Sequence, residues 1–202
     1  MTSIVSAQNK EFIMGSVIGF YGIENTGDIN DMYSQTNGNI SGTGGLSAGL
    51  NVKHDLSKTI YAALEIRYIR KGSIKTIITS YGSRSWEHIK LDYIEIPFLT
   101  GLKISTKKKP LFIETGFAFA RLFSPKVSVS LLNPWDSSTE QAHFKKNDIS
   151  WVAGLKYPIN KSRKLLIGLR FSHSLFTIHS FYKLYNMDYG VEFYYLFNKN
   201  LK

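Results

Sequence analysis

Side chains alternate between apolar and small or polar types along most of this chain, and this period of two constrains the fold more than any other feature. In the stretch LDYIEIPFLTGLKI, Ile94 and Phe98 lie on one side, whereas Tyr93 and Glu95 lie on the other. Such a period is typical of a β-strand, in which successive side chains point to opposite faces of the sheet. Alternating segments of this kind lie at 12–22, 45–53, 59–71, 91–104, 111–123, 148–157, 164–175 and 187–197.

The connections between these segments alternate in length. Short connections lie around 54–58, 105–110 and 158–163, and longer polar ones lie at 23–44, 72–88, 124–147 and 176–186. An up-and-down meander whose short turns all lie at one end produces this order. The sequence therefore predicts an all-β fold, an eight-stranded antiparallel up-and-down barrel that comprises residues 9–202 as one domain.

One face of the segments combines small residues with charges, and this composition predicts that it lines the barrel interior. Its small residues are Gly15, Gly19, Gly49, Ala63, Gly101, Gly116, Ala118, Gly154, Gly168 and Gly190. Glycine within a strand usually marks a place where space is short. A water-facing surface has no such shortage, whereas the lumen of an eight-stranded barrel is just wide enough for side chains to fill it.

The charges on the same face have both signs, so they can form ion pairs in the confined lumen. Buried charges require partners, and guanidinium groups match carboxylates well. The predicted lumen charge network consists of Glu65, Arg67, Glu95, Glu114, Arg170 and Glu192. Such a network would plug the barrel, so we expect little or no steady conductance. The alternative is a set of solvated surface charges.

The opposite face is aliphatic and carries aromatic residues near the strand ends, which predicts contact with lipid. These aromatic residues are Phe12, Phe20, Tyr68, Tyr157, Phe171, Tyr189, Tyr195 and Phe197. Aromatic girdles that flank an apolar band are typical of outer-membrane barrels, which have short periplasmic turns and longer extracellular loops. We therefore expect a transmembrane barrel in the cell outer membrane, in contact with the lipid bilayer. The alternative is a soluble lipocalin-like ligand-binding barrel, in which the apolar face would line the lumen.

Several motifs also resemble a known family. The strongest is the Tyr-x-Glu-x-Pro pattern of Tyr93, Glu95 and Pro97, and softer matches are GLSAGLNV, LEIRYIRKG, FIETGFAFA, GLRFSHSL and the final YYLF. With these motifs the chain resembles the small porin-like outer-membrane β-barrel proteins of Bacteroidetes-type bacteria, a family that includes the PorT-like barrels. The resemblance implies an outer-membrane location and permits a role in transport or secretion.

The net charge of +10 allows several anionic partners. The positive charges are spread along the chain, and this spread does not favour nucleic acid. Basic residues at the strand-to-loop edge could instead meet lipopolysaccharide phosphates: Arg70, Lys71, Arg84, Arg121, Lys126, Lys145, Lys146 and Lys183. The alternative is a generic solvated rim. In the loop at 124–147, the apolar residues Leu131, Leu132 and Trp135 are predicted to contact a protein partner.

No catalytic role, metal site or cofactor is expected. The histidines His54, His88, His143, His173 and His179 do not occur in metal-ligand spacing. The expected role is therefore structural or interactive and is carried by the extracellular loops. Residues 1–8 (MTSIVSAQ) have small side chains where a signal peptidase would cleave, so they are expected to be a signal-peptide remnant, with a frayed terminus as the alternative.

Overall fold

The computed structural model of the chain describes residues 12–27, 38–78, 84–104, 109–131, 138–139, 143–181 and 183–197. Its strands are β1 (Phe12–Gly27), β2 (Gly38–Asp55), β3 (Ile60–Ile78), β4 (Arg84–Ile104), β5 (Leu111–Leu131), β6 (Ser138–Thr139), β7 (Asn147–Pro158), β8 (Leu165–Ser174) and β9 (Leu184–Leu196). Within the described ranges, no helix is long and apolar enough to cross a membrane. The predicted signal-peptide remnant lies outside the described residues.

Eight long strands close into a ring. Each pairs antiparallel with its neighbours along the chain, β4 pairs with β5, and β1 pairs with β9 to close the sheet. The two-residue strand β6 adds to β5 outside this ring. The predicted eight-stranded antiparallel barrel is therefore confirmed. The barrel end with the connections β2–β3, β4–β5 and β7–β8 is called the turn end, and the opposite end is called the loop end.

The strands extend further at the loop end than the sequence predicts. The segment 72–88 was expected to be a long loop, but β3 continues to Ile78 and β4 begins at Arg84, so that only 79–83 connect them. The prediction was wrong here because it relied on apolar alternation. Backbone pairing such as that of Lys75 with Glu87 continues without such alternation.

The apolar face points outward, as the sequence predicts. Phe98 is 60% exposed and Ile94 is 42% exposed, whereas Glu95 between them is fully buried. Exposed aliphatic and aromatic side chains continue around the whole ring of strands, for example Leu50 on β2 and Leu169 on β8. The lipocalin-like alternative is wrong, because it requires the opposite orientation.

Gly49 provides the space that one lumen side chain needs. It lies opposite Arg67 in the β2–β3 ladder, and an added Cβ atom would lie 2.6 Å from the Cβ atom of Arg67. Gly44 is a natural control, because an added Cβ atom there would meet nothing within 4 Å.

We expect Gly49→Ala to lower the free energy of unfolding by about 1–3 kcal/mol, because the extra methyl group overpacks the lumen. Gly44→Ala should change it by less than about 0.5 kcal/mol. Urea unfolding of both variants in lipid vesicles measures the difference. Equal unfolding midpoints for the two variants would show that space at Gly49 is not limiting.

Candidate functional site in the barrel interior

The barrel interior contains charged residues between two apolar clusters. The cluster nearer the turn end includes Val17, Leu99 and Leu166, and the cluster nearer the loop end includes Ile23, Ile69, Leu91, Ile178 and Leu184. Along β3 the inward residues show this order: Ala63 belongs to the first cluster, Glu65 and Arg67 follow, and Ile69 belongs to the second. Glu65 and Arg67 therefore lie between two apolar clusters.

Glu192 on β9 has four polar partners. Its carboxylate accepts from Nη1 of Arg67 at 2.8 Å and forms an ion pair with Arg170, whose Nε lies 3.1 Å away. The hydroxyl groups of Tyr21 and Tyr194 also donate to it. Two guanidinium groups and two phenols therefore converge on a single buried carboxylate, which satisfies the requirement that a buried charge be both paired and hydrogen-bonded.

Each arginine also has a second carboxylate partner. Arg67 donates from Nε to Oε1 of Glu95 at 2.9 Å. Arg170 binds Glu65 in a bidentate geometry, with Nη1 to Oε2 at 2.8 Å and Nη2 to Oε1 at 2.9 Å. Bidentate guanidinium–carboxylate pairs are among the stronger polar contacts in proteins. The two arginines thus link three carboxylates across the lumen.

Two lysines that the predicted network omitted complete the cluster. Lys156 lies 2.7 Å from Oε2 of Glu114 and 3.4 Å from Oε1 of Glu65. Lys71 lies 3.0 Å from carboxylate oxygens of both Glu95 and Asp188. All six residues of the predicted network therefore lie inside the barrel, within one connected set of ion pairs.

The position of Lys71 corrects the expectation from the sequence, which placed this residue at the strand-to-loop edge beside Arg70. Arg70 does point outward, but Lys71 is only 1% exposed. The reason is that β3 continues past this point, so Lys71 keeps the inward phase of Glu65 and Arg67. The alternation in the sequence already gave Lys71 this inward phase. The predicted strand ended at Lys71 itself, however, so the residue was assigned to the strand-to-loop edge.

A second group of buried polar side chains lies towards the loop end, and it was not predicted from the sequence. Oδ2 of Asp148 accepts from Ser174 Oγ at 2.8 Å and from Asn186 Nδ2 at 3.0 Å. Asn186 in turn accepts from Asn25, which accepts from Ser73. Apart from Asp148 these residues are uncharged, so they form no recognisable charge pattern in the sequence. Only their position on the inward face of the strands could have predicted that they meet in the lumen.

Residues of two loop-end connections fold over this end of the lumen. Phe144 and His179 form an isolated bridge, the amide of Lys145 donates to the carbonyl of Ile178 at 2.8 Å, and the amide of Ser180 donates to the carbonyl of His143. Ile178 is 1% exposed and joins the inner apolar cluster. Burial, together with the neighbouring His143 and Lys145, lowers the pKa of His179 below its ordinary value. Ile178 therefore packs inside the loop end of the barrel.

The turn end contains a small recess that reaches the charged cluster. It is lined by Lys53, Tyr61, Phe112, Glu114 and Lys156, among others. The ammonium group of Lys53 lies over the ring of Tyr61 at 4.0 Å. Among the described residues, no group of three or more histidine or acidic side chains could hold a metal ion.

The side chains predicted to contact a protein partner, those of Leu131, Leu132 and Trp135, are not described by the structure. Leu131 is the last residue of β5, but the structure does not describe its side chain, and Leu132 and Trp135 lie outside the described residues. Contact of these three residues with a protein partner stays a prediction.

Comparisons with known proteins agree with the barrel architecture. The model of the family described as outer membrane protein beta-barrel domain matches residues 6–180. The crystal structure of Neisserial surface protein A is similar with a TM-score of 0.52 and 10% identity, over 91% of this chain and 97% of that one. At such low identity the similarity concerns the fold alone.

Two further solved structures match less well. Outer membrane protein OprG from Pseudomonas aeruginosa has a TM-score of 0.48 and 9% identity, over 94% of this chain and 97% of that one. Ail, the attachment invasion locus protein of Yersinia pestis, has a TM-score of 0.47 and 13% identity, over 93% of this chain and 99% of that one. No curated protein sequence matches the chain.

Proposed function

This chain belongs to the outer membrane protein beta-barrel domain family and resides in the outer membrane, and from this premise we propose that it is a non-enzymatic barrel whose lumen is plugged by paired charges. Its role is then structural or interactive, and its loops contact a protein partner. Beyond the bilayer itself, lipopolysaccharide is the second partner that we propose.

The main support for a plugged lumen is the arrangement of Arg67 and Arg170 around Glu192. These side chains come from β3, β8 and β9, and at most 3% of each residue is exposed. Eight strands leave an interior that side chains can fill, whereas open porins use about 16–18 strands. Ion pairs that cross such a narrow lumen block it unless they rearrange.

We expect monomeric wild-type protein in planar lipid bilayers to show little or no steady conductance. The double variant Glu65→Ser with Arg170→Ser removes one carboxylate and one cation, so it preserves the charge balance and opens space in the lumen. Its openings should therefore be more frequent. The matched control is Arg70→Ser with Asp92→Ser, a pair outside the lumen in which Arg70 is half-exposed and Asp92 is covered, and it should leave the conductance unchanged.

Two results would count against the plug. A stable, large ohmic channel from wild-type monomer would show that the lumen is open. A lumen double variant as silent as the wild type would show that the apolar clusters close the barrel without help from the charges. Heat-modifiable gel mobility would establish that each variant is folded before it is recorded.

A component of transport or secretion is the second candidate, supported by the resemblance to the Bacteroidetes-type family that includes PorT-like barrels. The residues that carry this resemblance, Tyr93 and Glu95, are buried in the lumen, where Glu95 pairs with Arg67 and Lys71. A role in transport would require this cluster to rearrange. Recovery of transport or secretion proteins with the intact barrel from cross-linked envelopes would favour this candidate.

A further inference from the structure

The outward faces of β3, β4 and β5 carry a group of cations at the loop end. Moving from the middle of the apolar band towards the loops, the register includes the rows Leu64–Phe98–Phe117, Tyr68–Ile94–Arg121, Arg70–Asp92–Ser124 and Gly72–Lys90–Lys126. The first of these rows is apolar, the second is mixed, and the last two contain most of the charges. The outer surface therefore changes from apolar to cationic within a few residues.

Positive charge dominates this surface. Its three loop-end rows contain four cations and a single carboxylate, that of Asp92. Oδ1 of Asp92 already accepts from the hydroxyl group of Tyr68 and from Nε of Arg70, each at 2.7 Å. Arg70 therefore neutralises the one carboxylate, and the charges of Lys90, Arg121 and Lys126 are left in excess.

Lys90 and Lys126 lie directly opposite each other in the β4–β5 ladder, and both are exposed. Like charges in this position destabilise a sheet. Their neighbour in the same row on β3 is Gly72, which has no side chain to cover them. An anion bound between the two ammonium groups would convert this repulsion into attraction.

Exposed lysines also lie in the loop-end connections, at Lys145, Lys146 and Lys183, but the strand rows differ between the two sides of the barrel. The corresponding loop-end rows of β1 and β9 are Gly22–Tyr189, Glu24–Met187 and Thr26–Tyr185, and none of these six described residues is a cation. The strand rows that follow the apolar band therefore carry cations on β3, β4 and β5 and none on β1 and β9, which favours an anionic neighbour beside β3, β4 and β5.

We propose that Lys90, Lys126 and Arg121 bind the phosphate groups of a phosphorylated outer-leaflet glycolipid, the lipid A portion of lipopolysaccharide. Lipid phosphates lie immediately beyond the acyl chains, which is where these cations follow the apolar band. Phe123, which is 56% exposed and packs against Tyr68, lies beside them and can contact an acyl chain. This inference gives the lipid partner of the proposed function a site, and because the site lies on the outer surface it would stand even if the lumen conducted.

The test is calorimetric titration of the refolded, full-length chain in neutral detergent micelles with bis-phosphorylated lipid A. Lys90→Gln with Lys126→Gln should weaken binding about 30-fold, on the basis of about fivefold for each lysine near a lipid phosphate. Lys90→Arg with Lys126→Arg should restore it. The charge-matched control is Lys58→Gln with Lys161→Gln, which changes two exposed lysines in turn-end connections and should alter binding by less than twofold.

Four results would overturn the inference. Unchanged lipid A affinity in the Lys90/Lys126 glutamine variant would show that these lysines are not the site. An equal loss in the control would indicate attraction by net charge alone. Equal affinity for dephosphorylated lipid A would exclude phosphate recognition, and equal affinity for inorganic phosphate would indicate a free anion instead of a lipid. Heat-modifiable mobility separates loss of binding from loss of folding.

Discussion

Arg67→Met is expected to lower the free energy of unfolding by about 3–5 kcal/mol, because it leaves buried carboxylates without a cation. Arg67 contacts both Glu95 and Glu192 from a position that is 1% exposed. In the described interior the carboxylates already outnumber the cations: Glu65, Glu95, Glu114, Asp148, Asp188 and Glu192 face Lys53, Arg67, Lys71, Lys156 and Arg170. Loss of one arginine widens this imbalance in a place that water does not reach.

Arg70→Met is the matched control for that variant. Arg70 lies on the same strand with its side chain 50% exposed, and it pairs with Asp92 on the outer surface. Asp92 is itself buried but keeps its hydrogen bond from Tyr68, and an ion pair with a half-exposed partner contributes about 1 kcal/mol, so this variant should unfold near the wild-type urea concentration. Urea unfolding in vesicles, followed by tyrosine and tryptophan fluorescence, compares the two. Similar midpoints for Arg67→Met and Arg70→Met would mean that the lumen is hydrated enough to tolerate an unpaired carboxylate.

The second large effect is expected on the lipid-facing side. Phe98→Lys should lower the free energy of unfolding by about 2–4 kcal/mol, because a lysine at the bilayer midplane loses its hydration. Phe98 is 60% exposed, pairs with Leu64 and Phe117, and lies midway between Ile94 and Ile104 among the outward residues of β4. Refolding yield and urea midpoint in vesicles measure the effect.

The same substitution at the strand end is the control. Ile104→Lys replaces the last residue of β4, beside the turn end, where a lysine can reach the membrane surface. Its expected cost is at most about 1 kcal/mol. If both lysine variants cost the same, Phe98 would not lie near the middle of the hydrocarbon layer, and the apolar band would have to be placed differently.

Much of the interior could be predicted from the phase of alternation alone. Glu95 is buried between Ile94 and Ile96 because a strand in this barrel must direct alternate side chains inward. The same rule correctly assigns Arg170 and Glu192. It failed at Lys71, where the strand end was misjudged, and it could not reveal that tyrosines such as Tyr21 donate to the charged cluster.

The sequence by itself determined the number of long strands, their antiparallel order and which face meets lipid, since these follow from local periodicity and from the spacing of the connections. Only the tertiary structure decided which charges meet. Arg67 on β3 pairs with Glu192 on β9, although β3 and β9 are not neighbours in the sheet. Closure of the ring brings such side chains together across the lumen. Because those contacts depend on the diameter and stagger of the closed barrel, no local pattern along the chain specifies them.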